Sequence, residues 1–198
     1  MIVELETTLL SCLSPCVIFL KMFDFIVSID QLAERVILLW NNFYLLKFFH
    51  SITEFGSAVF AVILFFCIVY FLWRRKSRLL KSFVVAFVCN EALVYILKIL
   101  IGRSRPPGAF MYGEYDSSMP SGHAAVSIFL YGSICYLIYK LYPAGYKRNA
   151  IMVSLVALVI LIGFSRLYMD VHYLSDVLAG FMLGGATLYC LIRLNIVY

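Results

Sequence analysis

Long stretches of this chain, 57–73 and 150–164 among them, contain no charged residue, and that decides which solvent the fold is built for. Comparable apolar runs occupy 82–102, 123–139 and 177–192. With their flanks, most approach the roughly 20 residues a helix needs to cross about 30 Å of hydrocarbon. Hydrophobic residues make up 64% of the 198 and charged residues 14%, against roughly 45–50% and 25% in soluble domains. A small domain in water would have to expose much of that excess. The expected fold is therefore all-α, a polytopic membrane helix bundle; no strand pattern or internal repeat competes.

The stretch 8–28 is a weaker candidate span, because Pro15, Lys21 and Asp24 interrupt it. Six transmembrane helices are expected, or five if this first segment lies in the interface. Between 31 and 52 the pattern is amphipathic: Leu32, Val36, Leu39 and Trp40 recur at helical spacing, with Glu34, Arg35, Asn41 and Asn42 among and beyond them. That suits an interfacial helix. Residues 1–52 thus read as a weak span plus an interfacial helix and 53–198 as the transmembrane core, one domain overall. Glu4 and Glu6 stand where a signal peptide carries basic residues, so no cleaved leader is expected. The six cysteines lack metal-ligand spacing and read as small apolar residues.

The net charge of +5 does not point to nucleic acid, because the basic residues sit in short connections between apolar runs. Arg74, Arg75, Lys76, Arg78 and Lys81, then Lys140, Lys147 and Arg148, then Arg193 fall at ends that alternate onto one side, read as cytoplasmic. Arg35, Lys47, Lys98, Arg103, Arg105 and Arg166 fall on the other. Four of those six belong to or adjoin polar clusters, so a functional demand overrides topology there, and the site is expected to open to the non-cytoplasmic side.

Three clusters carry the chemistry. Lys98 and Arg105 are seven residues apart, which on a continuous helix is two turns and one face. Pro106 and Pro107 end the helix and leave Arg105 in an extended or turn position. A lysine point charge and a guanidinium fork suit phosphoryl oxygens, although either residue could simply snorkel to the interface. Pro120-Ser121-Gly122-His123 opens an apolar run. There a serine N-cap, a permissive glycine and a helix start favour an anion, with His123 placed to protonate a departing oxygen. The plainer alternative is a capping serine and an interfacial histidine. Last come Ser165-Arg166, His172 and Asp176. If the chain turns helical near His172, Asp176 lies one turn on and fixes its tautomer, leaving the other ring nitrogen as nucleophile. A structural pair or a metal's outer shell would use the same two residues. Three cations nearby weigh against a metal ion.

Lys-x6-Arg-Pro, Pro-Ser-Gly-His and Ser-Arg-x5-His-x3-Asp, in this order at successive span ends, resemble the tripartite signature of the type 2 phosphatidic acid phosphatase family across residues 50–195. The resemblance implies an integral-membrane lipid phosphatase acting on a phosphomonoester or diphosphate. His172 would form a phosphohistidine, Asp176 would orient it, and His123 would be the general acid. Lys98, Arg105, Ser121, Gly122 and Arg166 would bind phosphate, with no metal or cofactor required. A minimal chain of this kind resembles bacterial members of the inner membrane with a periplasmic or exterior site. These act on undecaprenyl diphosphate, phosphatidylglycerol phosphate, phosphatidic acid or lipid A phosphates, and isoprenyl diphosphate is placed first. The implied partners are the lipid substrate and the bilayer, not nucleic acid.

A phosphotransferase would use the same site with another acceptor. A phosphate-binding transporter would need ionisable groups deep in several spans, and only Glu91 stands out. A vanadate haloperoxidase would not need this membrane composition. Glu91 is read as a protonated or hydrogen-bonded packing residue ahead of a supporting role behind the site, Gly180 and Gly184 as helix-packing residues, His50 as interfacial, and Arg103, Glu114 and Asp116 as edging the mouth without an assigned role.

Overall fold

The computed structural model describes residues 21–40 and 42–196, which are helical and contain no strand. Helix α1 covers 21–38; residues 8–20 of the weakest candidate span lie outside the described residues. Helix α2 (Phe43–Thr53) is capped by Asn42, whose Oδ1 accepts from the backbone N–H of Tyr44 at 2.8 Å. The amphipathic stretch 31–52 is thus two helices, not one. The break has a tertiary cause: the Tyr168 hydroxyl donates to the Trp40 carbonyl at 2.6 Å and accepts from the Asn42 N–H at 3.0 Å.

A short 3-10 turn, Glu54–Gly56, leads to α3 (Ala58–Arg74), which Ser57 caps through the Phe60 N–H. Then come α4 (Leu79–Ile101), α5 (Gly122–Leu141), α6 (Tyr146–Tyr168) and α7 (Leu174–Ile196). Helices α4 to α7 are long and apolar enough to cross a bilayer, and a fifth crossing follows if the 42° bend between Phe43–Gly56 and α3 lies within one span.

Helix α5 is the hub. Its Ala124, Ala125, Val126, Phe129 and Leu130 are buried, and α3, α4, α6 and α7 surround it. In lipid the hydrophobic effect does not join helices; close packing and interhelical hydrogen bonds do. Both are present. A Cβ on Gly180 would lie 2.4 Å from the Ser121 carbonyl oxygen, and one on Gly184 would lie 2.2 Å from that of Ala125. Thr187 Oγ1 donates to Asn90 Oδ1 at 2.9 Å, and Asn90 Nδ2 donates to Glu91 Oε1 at 2.9 Å, so Glu91 is hydrogen-bonded while it stays exposed on the bundle surface.

Candidate active site

All three clusters meet at one end of the bundle. Helix α4 delivers Lys98 in its last turn and stops at Gly102, which adopts φ 60°, the left-handed conformation glycine tolerates without strain. Arg105 therefore lies beyond the helix rather than on its face, yet it still joins Lys98 at Asp116. Helix α5 begins at Gly122 and holds His123 in its first turn, while α6 ends with Arg166 in its last. Helix α7 begins at Leu174, so His172 precedes it, and only Asp176 lies in its first turn. The two are not neighbours on a helical face, as the spacing alone had implied. The connection between α6 and α7 is strapped to the 3-10 turn Pro107–Tyr112: Asp170 Oδ2 accepts from the Gly108 N–H at 2.9 Å.

The hydrogen bonds fix the tautomer of His172. Arg105 Nη1 lies 3.1 Å from Nε2, and because a guanidinium can only donate, Nε2 must accept and carry the lone pair. The proton then sits on Nδ1, 3.3 Å from Ser118 Oγ. Ser118 donates in turn to Asp176 Oδ2 at 2.5 Å, while the direct Nδ1 to Oδ2 separation is 3.7 Å. Asp176 thus orients the imidazole through a serine. Its Oδ2 also accepts the Tyr173 N–H at 2.9 Å, and its carbonyl accepts the Ser121 N–H at 3.0 Å, tying the second motif to the third. Burial first, then the charges of Arg105 and Arg166, outweigh the pull of Asp176 and push the His172 imidazole down to about 4. A neutral imidazole is the form that can act as a nucleophile.

Two carboxylates tie Arg105 to the other two cations of the site. Glu114 bridges Arg105, at 2.8 Å, and Arg166. Asp116 bridges Arg105, at 2.5 Å, and Lys98. Burial opposes ionisation of Asp116, but the hydrogen bonds from Lys98 and Arg105 prevail and hold its carboxyl below the usual range. Thr53 steadies Arg166 with its hydroxyl at 3.0 Å from Nη1. His123 lies within electrostatic reach of Arg166, His172, Arg105 and Lys98, and Gly56 packs against its ring. Glu114 and Asp116 thus neutralise these three cations.

Ser121 sits at the N-cap position of α5 but makes no capping bond, contrary to expectation. Its Oγ is buried without a partner, as is Arg166 Nε. Beside Gly122 a Cβ would meet nothing nearer than Val94 at 3.7 Å. All eight sequence-derived site residues therefore lie in one cluster. Ser118, Glu114, Asp116 and Thr53 join them without a motif to announce them; the acidic pair in an otherwise basic mouth was the one available signal.

The sequence profile of the PAP2 superfamily matches residues 79–196, the part of the chain that carries all three clusters. The chain is 32% identical over 162 residues to phosphatidylglycerophosphatase B of Bacillus subtilis, covering 79% of this chain and 78% of that one. It is 28% identical over 161 residues to dolichyldiphosphatase of Saccharomyces cerevisiae, covering 75% and 66%. The crystal structure of the transmembrane PAP2 type phosphatidylglycerolphosphate phosphatase from Bacillus subtilis superposes with a TM-score of 0.77 at 26% identity, over 91% of this chain and 95% of that one. On this agreement of helices, converged motifs and relatives, the chain belongs to the PAP2 superfamily and is an integral-membrane lipid phosphatase.

Proposed function

We propose that the protein hydrolyses a lipid phosphomonoester or diphosphate through a phosphohistidine on His172, at the non-cytoplasmic face. The observation that carries this reading is the fixed tautomer of His172, with Nδ1 held by Ser118 and Nε2 facing Arg105. Nε2 attacks phosphorus as the bond to the leaving oxygen breaks, and His123 gives that oxygen its proton. Water then attacks the phosphohistidine, the P–N bond breaks, and His123 takes up the water proton. Lys98, Arg105, Arg166, Ser121 Oγ and the N–H groups at the start of α5 stabilise charge on the equatorial oxygens, the main demand of phosphoryl transfer.

For the substrate, the Bacillus subtilis relative favours phosphatidylglycerol phosphate and the yeast relative an isoprenyl diphosphate. We place the first ahead, because that likeness extends over more of both chains. A cavity of about 220 Å³ beside His172 has an apolar part, Ile37, Leu46, Met111 and Leu167, and an acidic part, Asp30, Glu34 and Asp170; the apolar part suits the start of a lipid chain. The basic residues at the opposite end of the bundle support the outward-facing site.

Phosphate release by purified protein in detergent tests this, across phosphatidylglycerol phosphate, undecaprenyl diphosphate and phosphatidic acid, with and without EDTA. Turnover that survives EDTA, yields free phosphate and disappears in His172→Ala is expected. Loss of activity on chelation, or transfer of the phosphate to a second lipid in place of release, contradicts the mechanism.

A further inference from the structure

The Asp176 carboxylate is fully buried, and its two oxygens face different ways. Oδ2 serves Ser118 and the Tyr173 N–H, on the His172 side. Oδ1 accepts from Arg103 Nη1 at 2.7 Å. Arg103 is not one of the cations around Nε2. Its other branch, Nη2, donates to Asp30 Oδ2 at 2.7 Å, and its Nη1 also reaches Ser175 Oγ at 2.6 Å. Asp30, on α1, is itself buried and binds the residue beside Asp176 twice: Oδ1 accepts the Ser175 N–H at 2.8 Å and Oδ2 accepts the Ser175 hydroxyl at 2.6 Å. The guanidinium plane is backed by the Tyr173 ring, 4.2 Å from its centroid.

A buried carboxylate without a countercharge is costly, and a single hydrogen bond leaves it free to rotate. Arg103 supplies the countercharge and Asp30 holds Arg103 in place, with rigidity drawn from three elements of the chain. We infer that Arg103 is a positioning residue for catalysis, anchored by Asp30, which fixes Asp176 so that Oδ2 stays directed at Ser118 and His172. The juxtaposition Asp30–Arg103–Asp176 makes α1 part of the catalytic apparatus, although no residue of α1 belongs to the family's three motifs. The inference rests on His172 being the nucleophile.

A double-mutant cycle tests it, with turnover of a radiolabelled lipid phosphate as the readout. Arg103→Gln is expected to lower kcat by about tenfold to a hundredfold, the range of coupling within one hydrogen-bonded network. KM should stay within about twofold, since the phosphate-binding cations are untouched. In an Asp176→Asn background the same substitution should have little further effect. Asp30→Asn should give a smaller loss that vanishes once Arg103 is replaced, and Arg103→Lys should recover part of the activity. Vanadate binding checks that each variant is folded. Should Arg103→Gln fail to fold, Asp30→Asn crossed with Asp176→Asn makes the same test. Equal fold-losses in the wild-type and Asp176→Asn backgrounds, or a loss expressed in KM alone, overturn the inference. Turnover that persists in His172→Ala overturns the mechanism beneath it instead, so the two failures are distinguishable.

Discussion

Nδ1 of His172 and Oδ2 of Asp176 stand 3.7 Å apart, and the hydroxyl of Ser118 bonds to both. The proton that fixes the imidazole therefore reaches the carboxylate through a residue outside the three motifs. Ser118→Ala should lower kcat by about threefold to thirtyfold, the scale of one lost buried hydrogen bond, with KM unchanged. Asp176→Asn should cost more, because it also removes the charge that stabilises the imidazolium formed on attack. Steady-state kinetics of both variants decide this; a larger loss from the serine than from the aspartate would contradict it.

The depressed value of His172 has a pH signature. Folded, the imidazole takes a proton only near about 4, against 6.5 in the unfolded chain. Between these values the unfolded chain binds a proton that the folded one does not. The contribution of His172 to stability is therefore complete above about pH 6.5, declines as pH falls, and is lost below about 4. Imidazole NMR in detergent, assigned with His172→Ala, should show this ring still neutral at pH 5. A midpoint near 6.5 would contradict the burial and charge argument.

Glu114 and Asp116 neutralise the cations that are proposed to hold phosphate. A substrate head must displace them, so Glu114→Gln should bind vanadate severalfold more tightly than the parent, as a competing anion is removed. Inhibition titrations measure this. Weaker vanadate binding would mean that the carboxylates shape the site rather than compete for it.

The α5–α7 contact leaves no room at Gly184, where a Cβ would fall 2.2 Å from the Ala125 carbonyl oxygen. Gly184→Ala should destabilise the bundle by about 1–3 kcal/mol through overpacking. It should also lower activity, because the same contact seats the start of α5 against Asp176. Thermal unfolding in detergent tests the first effect; an unchanged melting temperature would show that the helices can separate there cheaply.

Much of this was legible in the sequence because hydrocarbon leaves few options. Charge-free runs such as 150–164 had to be helices, and their alternating ends had to place Lys98, His123, Arg166 and His172 together. Tertiary detail was not legible. The division of 31–52 into two helices depends on the Tyr168 hydroxyl, more than a hundred residues away. Ser121 looked like a cap, but its side chain makes no capping hydrogen bond. Arg103 lay beside Arg105 in sequence and looked equivalent, yet it faces the far side of Asp176. Local spacing does not encode which way a guanidinium turns after a helix has ended.

The central claim is that His172 carries the phosphoryl group. Brief reaction of the protein with a lipid labelled in its terminal phosphate, quenched in alkali, tests it most directly. The account predicts a base-stable, acid-labile label on wild-type protein that is absent from His172→Ala. A label that survives in His172→Ala, or turnover by wild-type protein with no labelled intermediate at any quench time, would contradict it.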